Sequence, residues 1–186
     1  MSAYLLTPPA AEPLSLADAK AFLRVEHDAD NELIASLIAS ARAEVELATR
    51  RLLMTQTWRI VLHRWPPSGR IVSPASPLRT LEAARVFDAE GEAEALDTGA
   101  FLLDTSSVPG VIAFPRASLP SPGRVLAGIE LDVTAGYGEA ADIPAPLLQA
   151  IRLLVARAYE QRDRVAPDAL PDTVAKLIAP FRILSI

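Results

Sequence analysis

The two histidines, His27 and His63, are the side chains here best suited to proton transfer or metal binding near neutral pH. They lie far apart in the sequence. Neither shares a helix face with a second ligand-type residue three or four positions away. The spacing therefore predicts surface or capping histidines, and we expect no catalytic residue and no metal site.

A glycine turn, Gly136-Tyr137-Gly138, offers a second possible chemistry, because with the following residues it fits the pattern G-x-G-x-x-A. In dinucleotide-binding proteins this pattern follows a strand and opens the helix that receives the pyrophosphate. Here Pro144 and Pro146 delay the next helix, and no second strand follows to complete a βαβ unit. We interpret the glycines as a turn and expect no cofactor. A small nucleotide-binding protein or enzyme that uses this turn remains the alternative.

Composition excludes further classes of site. The 186 residues include no cysteine, which removes disulfides, zinc–thiolate sites and thiol catalysis. The net charge of −5 argues against a general nucleic-acid-binding surface. Only Lys20 and Lys176 are lysines among 18 basic residues, so arginine dominates. Arginine suits interface contacts, but genome composition explains the bias equally well. The sequence shows neither a membrane-spanning run nor a basic leader, and cytoplasmic synthesis is expected.

Helical periodicity is found in the N-terminal and C-terminal parts of the sequence. Residues 16–24 form a short predicted helix behind a cap at Ser15. Residues 31–53 form a long one, with apolar residues recurring every three or four positions from Ile34 onward. Residues 147–162 form a third, which begins after Pro144 and Pro146. A short helix is expected close to residues 173–179.

Between the long helices, residues 55–135 alternate with a period of two and are divided by glycine and proline turns. Short strands with no helix between them predict an antiparallel sheet. The fold class is therefore α+β: antiparallel helices, two N-terminal and one long C-terminal, with an inserted antiparallel β-sheet. Residues 1–13 are expected to be an N-terminal arm and residues 164–186 a C-terminal arm.

Two apolar surfaces suggest partners. The third helix is apolar almost all round, which is typical of a helix that faces two neighbours. We therefore predict subunit contacts at Ile151, Leu154, Val155 and Tyr159. The C-terminal segment is also apolar and follows a proline-rich spacer, so it suits insertion into a groove on another protein. Its predicted docking residues are Leu177, Ile178, Phe181, Arg182, Ile183, Leu184 and Ile186. Alternatively, this segment covers the domain's own core.

The order of these landmarks resembles the head–tail connector (adaptor) proteins of phages, prophages and gene transfer agents, in the larger subfamily with an inserted β region. The matching pieces span residues 14–163. They are LSLADAKAFLRV, then the long helix running into TQTW, then the AGYG turn, then IPAPLLQAIRLLVARAYEQRD. The end LIAPFRILSI resembles the family's C-terminal portal-docking segment.

The resemblance implies a structural protein without enzymatic activity. It implies a dodecameric ring between the portal of a DNA-filled head and the stopper or tail-completion protein, with residues 14–163 as the connector domain. DNA would pass through the ring without sequence-specific binding, which a net charge of −5 suits. Assembly in the bacterial cytoplasm and residence at the head–tail junction of the particle follow. A free-standing cytosolic regulator with a folded-back tail is a third possibility.

Overall fold

The computed structural model describes residues 1–161 and 170–183, and its chain divides into two compact units. The β unit comprises Met1–Ala10 and Thr55–Gly136, and the helical unit comprises Ala11–Met54 and Tyr137–Ile186. The α+β class predicted from the sequence is confirmed. None of the described helices is both long enough and apolar enough to cross a bilayer.

The helical unit contains α1 (Leu16–Leu23), α2 (Asn31–Thr49), α3 (Ala145–Glu160) and α4 (Asp172–Ile178). The Ser15 hydroxyl accepts a hydrogen bond from the Asp18 backbone N–H at 3.0 Å, as the capping pattern predicts. α1 packs on α2 and α3, and α4 packs on the same two helices. Their shared core includes Ile34, Ile38 and Val45 of α2, all buried.

The second helix ends at Thr49, four residues before the predicted Leu53. Arg50 adopts a left-handed backbone with φ 57°, which stops the helix. The Leu53 backbone N–H then donates to the Glu46 carboxylate at 2.8 Å instead of continuing the helix. The apolar Leu52 and Leu53 extend the helical pattern in the sequence, so periodicity alone could not locate this end.

The inserted segment Thr55–Gly136 begins and ends beside two neighbouring stretches of the helical unit. The Tyr137 backbone N–H donates to the Leu53 carbonyl at 3.2 Å, and Met54 forms an isolated parallel bridge with Gly138. Both contacts lie within the helical unit. They hold the two connections to the inserted strands side by side.

The β unit contains two antiparallel sheets where the sequence predicted one. The larger has the order β1-β2-β8-β4-β5, and the smaller has the order β3-β7-β6. The strands are β1 (Ser2–Thr7), β2 (Gln56–Leu62), β3 (Arg70–Val72), β4 (Leu78–Phe87), β5 (Ala93–Leu96), β6 (Leu102–Asp104), β7 (Val111–Ala113) and β8 (Ile129–Ala135). The rings of Trp65, Phe101 and Phe114 pack together in this unit, with Trp65 and Phe114 4.9 Å apart at their centroids.

Residues 1–13, expected to be an extended N-terminal arm, include a strand. Ser2–Thr7 pairs with β2 and forms one edge of the larger sheet. The other edge is β5, which pairs with β4 after the acidic turn at residues 88–92. Neighbours in this sheet are distant in sequence, because β8 lies between β2 and β4. Local alternation predicts strands but does not fix such pairing.

A charged network crosses the larger sheet around Asp132, which is only 6% exposed. Its carboxylate accepts two hydrogen bonds from Arg59, at 2.6 and 2.9 Å, and one from Arg85 at 2.7 Å. Burial by itself raises the pKa of Asp132, but the hydrogen bonds and charges of the two arginines outweigh it and leave that pKa below its ordinary value.

We expect the Asp132→Asn substitution to destabilise the β unit at pH 7 by roughly 1–3 kcal/mol, the range for lost hydrogen bonds to charged groups. A lowered carboxyl pKa gives stability that is present above the unfolded value near 3.8 and is lost as pH falls. The difference between wild type and variant should therefore shrink as the pH falls below 3.8. Both tryptophans lie in this unit. Urea unfolding followed by tryptophan fluorescence at pH 7 and pH 3 measures the effect, and an equal loss at both pH values would contradict it.

Candidate functional site

The two histidines are separate and exposed. His27 lies between α1 and α2, and the His63 ring nitrogen Nδ1 accepts a hydrogen bond from the Ala127 backbone N–H at 3.0 Å. Within residues 1–161 and 170–183, no three His, Asp or Glu side chains come together as metal ligands. The structure thus gives His63 a role in holding a loop and brings no second ligand to either ring.

The glycine turn does not have the geometry of a dinucleotide site. Gly136 and Gly138 have φ angles of 123° and 135°, which only glycine adopts readily. The Gly136 backbone N–H donates to the Pro77 carbonyl at 2.9 Å, so it is not free for a phosphate. A 3-10 turn at Ala140–Asp142 follows, and α3 begins only at Ala145. No helix N-terminus therefore opens at the glycines, as the fingerprint requires.

Three of the four predicted subunit-contact residues lie in the core of this chain. Ile151, Leu154 and Val155 are 0%, 6% and 1% exposed. Tyr159 is half-buried, and its hydroxyl donates to the Asp30 carboxylate at 2.5 Å. α1, α2 and α4 together cover α3 on the side where the sequence suggested a neighbouring subunit. Their burial therefore does not require a ring, and a subunit contact at these positions stays a prediction.

The C-terminal segment packs on the helical unit as far as it is described. Ile178 is 1% exposed, and Leu177 and Phe181 are partly buried against the same core. The Arg51 guanidinium donates to the Phe181 carbonyl at 2.6 Å and lies over the Phe181 ring. The described part thus behaves as the alternative interpretation expected, by covering its own core.

After Phe181 the structure describes two more residues, Arg182 and Ile183. The Ile183 backbone N–H donates to the Thr49 carbonyl at 3.0 Å, while the side chain of Arg182 is exposed. Leu184 and Ile186, also predicted to dock, lie outside the described residues. Docking on a partner stays a prediction for this segment.

One further surface was not predicted from the periodicity of the sequence. It lies on α2, and we call it the α2 outer face. It is an exposed strip of small and acidic residues that ends in one large apolar side chain, Leu47, which is 81% exposed. Positions three or four apart place its members on one side of the helix. They are Glu32, Ser36, Ser40, Ala43, Glu44 and Leu47, all exposed. Small residues permit the close approach of a second helix, and a protruding leucine provides apolar contact for it.

On α3, two half-buried arginines, Arg152 and Arg157, have no carboxylate partner among the described residues. They have the opposite charge to Glu32 and Glu44 on the α2 outer face. The helical unit therefore presents acidic side chains on α2 and unpaired basic side chains on α3, and such opposite charges are suited to association between copies. The one signal in the sequence is that Leu47 is a large apolar residue outside the apolar stripe of α2.

Comparison with known proteins points to one group. Residues 13–82 match the model of the Phage gp6-like head–tail connector protein family. None of the curated proteins matches the chain.

Solved structures match over the whole chain. A chain from the neck of an empty gene transfer agent (GTA) particle, computed with C6 symmetry, has a TM-score of 0.83 at 28% identity. A chain from the virion of a native GTA particle has a TM-score of 0.83, and one from a native GTA neck computed with C12 symmetry has 0.79, both at 27% identity. Each match covers 100% of this chain and 97% of the other.

Proposed function

We propose that this chain, which is similar to the Phage gp6-like head–tail connector family over residues 13–82, is a structural neck protein rather than an enzyme and forms a closed adaptor ring. In this proposal the ring joins the portal of a DNA-filled head to the stopper or tail-completion protein. The observation that carries the proposal is the likeness to GTA neck chains over the full length of both proteins. A ring of twelve copies is consistent with the C12 symmetry of one of those necks.

The proposed lateral contact is between the α2 outer face of one copy and α3 of the next. Two different surfaces on one chain make a head-to-tail contact, and repeated head-to-tail contacts close into a ring when the rotation between copies allows it. An acidic side chain of the α2 outer face, such as Glu44, would face Arg152 or Arg157 of the neighbouring copy, and Leu47 would supply buried apolar area. Opposite charges fix the orientation of such a contact more than they strengthen it.

The ring contact predicts a clear result for Leu47→Glu. Because Leu47 is 81% exposed, the substitution should change the free energy of unfolding by less than about 0.5 kcal/mol. In the ring the same glutamate would be desolvated beside Glu44, so ring formation should fail. Native mass spectrometry and negative-stain images of the purified protein, alone and mixed with its portal, measure the assembly.

The matched control is Leu102→Glu in the β unit, where the leucine is 74% exposed. It introduces the same charge at a similar exposure and should leave the rings intact. A folded Leu47→Glu protein that still forms rings would remove the α2 outer face from the contact. A wild-type protein that forms no ring even with its portal would count against the adaptor function itself.

The channel and the portal contact complete the proposal. DNA would slide through the ring without sequence-specific binding, and a net charge of −5 favours passage because phosphates are not retained. Since α4 is anchored on its own core, the portal contact falls mainly to residues 182–186. Assembly would take place in the bacterial cytoplasm, and the protein would then remain at the head–tail junction of the particle.

A further inference from the structure

Residues 120–128 form a loop of the β unit that is fastened at several points. The Trp65 indole N–H donates to the Pro120 carbonyl at 2.9 Å, and the Gly123 backbone N–H donates to the Phe87 carbonyl at 2.9 Å. The Arg124 guanidinium lies 4.9 Å from the centre of the Phe87 ring. With the bond from Ala127 to His63, these contacts join the loop to the ends of two strands.

The backbone of this loop leaves little room for rearrangement. A Cβ atom on Gly123 would lie 2.3 Å from the Ala89 backbone nitrogen, and one on Gly128 would lie 2.6 Å from the Pro122 side chain. Ala127 adopts φ 52°, an uncommon conformation for a residue with a side chain. The sequence therefore maintains one particular loop shape.

That shape displays two apolar side chains. Val125 is 87% exposed and Leu126 is 66% exposed, although the rest of the loop is well anchored. Two neighbouring aliphatic side chains that a fixed loop exposes to solvent bury little apolar area, so they contribute little to the stability of the fold. Apolar residues displayed in this way are typical of a site that contacts another protein.

A cleft of about 460 Å³ lies beside the two aliphatic side chains. Its lining includes His63, Arg64, Trp65, Arg124 and Val125. Neither Arg64 nor Arg124 has a carboxylate within ion-pair distance among the described residues. Guanidinium groups bind planar carboxylates with paired hydrogen bonds, so the cleft is matched to an acidic side chain.

We propose that residues 120–128 and this cleft bind a different neck protein, through a segment that inserts a carboxylate between Arg64 and Arg124 and covers Val125 and Leu126. This inference rests on the proposed adaptor function. The pairing of basic and apolar groups selects a protein, because a DNA backbone would meet the arginines and leave the two aliphatic side chains exposed. A different protein is favoured over a second copy because the proposed lateral contacts between copies use the helical unit and not this loop.

The test uses complete particles produced by a cell whose own copy of the gene has been replaced. A photo-cross-linking amino acid at Val125 should form a covalent adduct with another neck protein. The Arg64→Glu substitution should reduce that adduct at least tenfold, whereas Arg70→Glu, at an exposed position of β3, should not. An adduct with this same chain or with DNA, or no adduct in complete particles, would overturn the proposal.

A second arm separates this inference from the adaptor function. Val125→Ser with Leu126→Ser should form rings as the wild type does, while complete particles counted by negative stain fall at least tenfold. Val72→Ser, a change at another exposed valine, serves as the control. Normal particle numbers, or folded protein that has lost its rings, would contradict the role of the loop. Failure of the wild-type protein to form rings would instead contradict the adaptor function.

Discussion

Replacing Leu154 by glutamate is expected to unfold the helical unit. The leucine side chain is 6% exposed in a core built from α1, α2, α3 and α4. The change gives up roughly 1.5–3 kcal/mol of apolar burial. It also places a charge in an apolar core, which costs several kcal/mol more. The sum approaches the whole stability of a small domain, about 5–15 kcal/mol. Circular dichroism at 222 nm should show helix loss at 25 °C.

The control for Leu154→Glu is Ala158→Glu, one turn further along α3, where the alanine is exposed. It adds the same charge to the same helix and should retain the wild-type melting temperature within a few degrees. Leu154→Met, which preserves volume, should fold and still form rings. A folded Leu154→Glu protein would show that the core of the helical unit does not depend on this position. Loss of rings by a stable Leu154→Met protein would return Leu154 to the subunit contact.

Two C-terminal truncations should differ in their effect on the melting temperature. Removing residues 184–186 should leave the melting temperature unchanged and prevent docking on the portal, so that heads and tails accumulate separately. Removing residues 177–186 also deletes Ile178, which is 1% exposed, together with the Phe181 contact to Arg51. That loss is roughly 1.5–3 kcal/mol for each buried apolar side chain. A shift of about 4–8 °C in melting temperature per kcal/mol is expected for a unit of this size.

Differential scanning calorimetry and particle counts together decide this prediction. Arg182→Ala, which changes only an exposed side chain, should leave stability intact and weaken docking in part. Because each C-terminal segment contributes little net energy after its ordering cost, many copies in a ring must act together. Complete particles formed by the protein without residues 184–186 would refute docking by these residues. Destabilisation by that short deletion would place them in the chain's own core.

The regular helices were predictable because one chemical pattern repeats along them. Ile34, Ile38, Ala41 and Val45 recur every three or four residues, and all four are buried in α2. The cap at Ser15 was readable for the same reason, since it depends on residues three positions apart. The family likeness was found in the sequence because it rests on the order of such local features.

The parts that were missed depend on contacts between distant residues. β1 is a strand only because Ser2–Thr7 pairs with β2, more than fifty residues later. β5 consists of alanine, glutamate and leucine, which favour helices, and is extended because it pairs with β4. The sequence also did not reveal that α4 returns to cover α3, the helix in which Leu154 is buried. The exposure of Leu47 likewise depends on which side of α2 the other helices occupy.

The paired connections at Leu53–Tyr137 and Met54–Gly138 have a consequence for how such proteins can evolve. The two ends of the insertion are adjacent. For the helical unit, the insertion is therefore equivalent to one long loop whose ends are held together. The entropy of closing a loop rises only with the logarithm of its length, about 0.6 kcal/mol for each doubling. A lineage can therefore lengthen or shorten the inserted segment while the helices keep their packing, provided that β2 still pairs with β1. Recognition of a new neck partner can then evolve in the insertion without a change in the part proposed to form the ring.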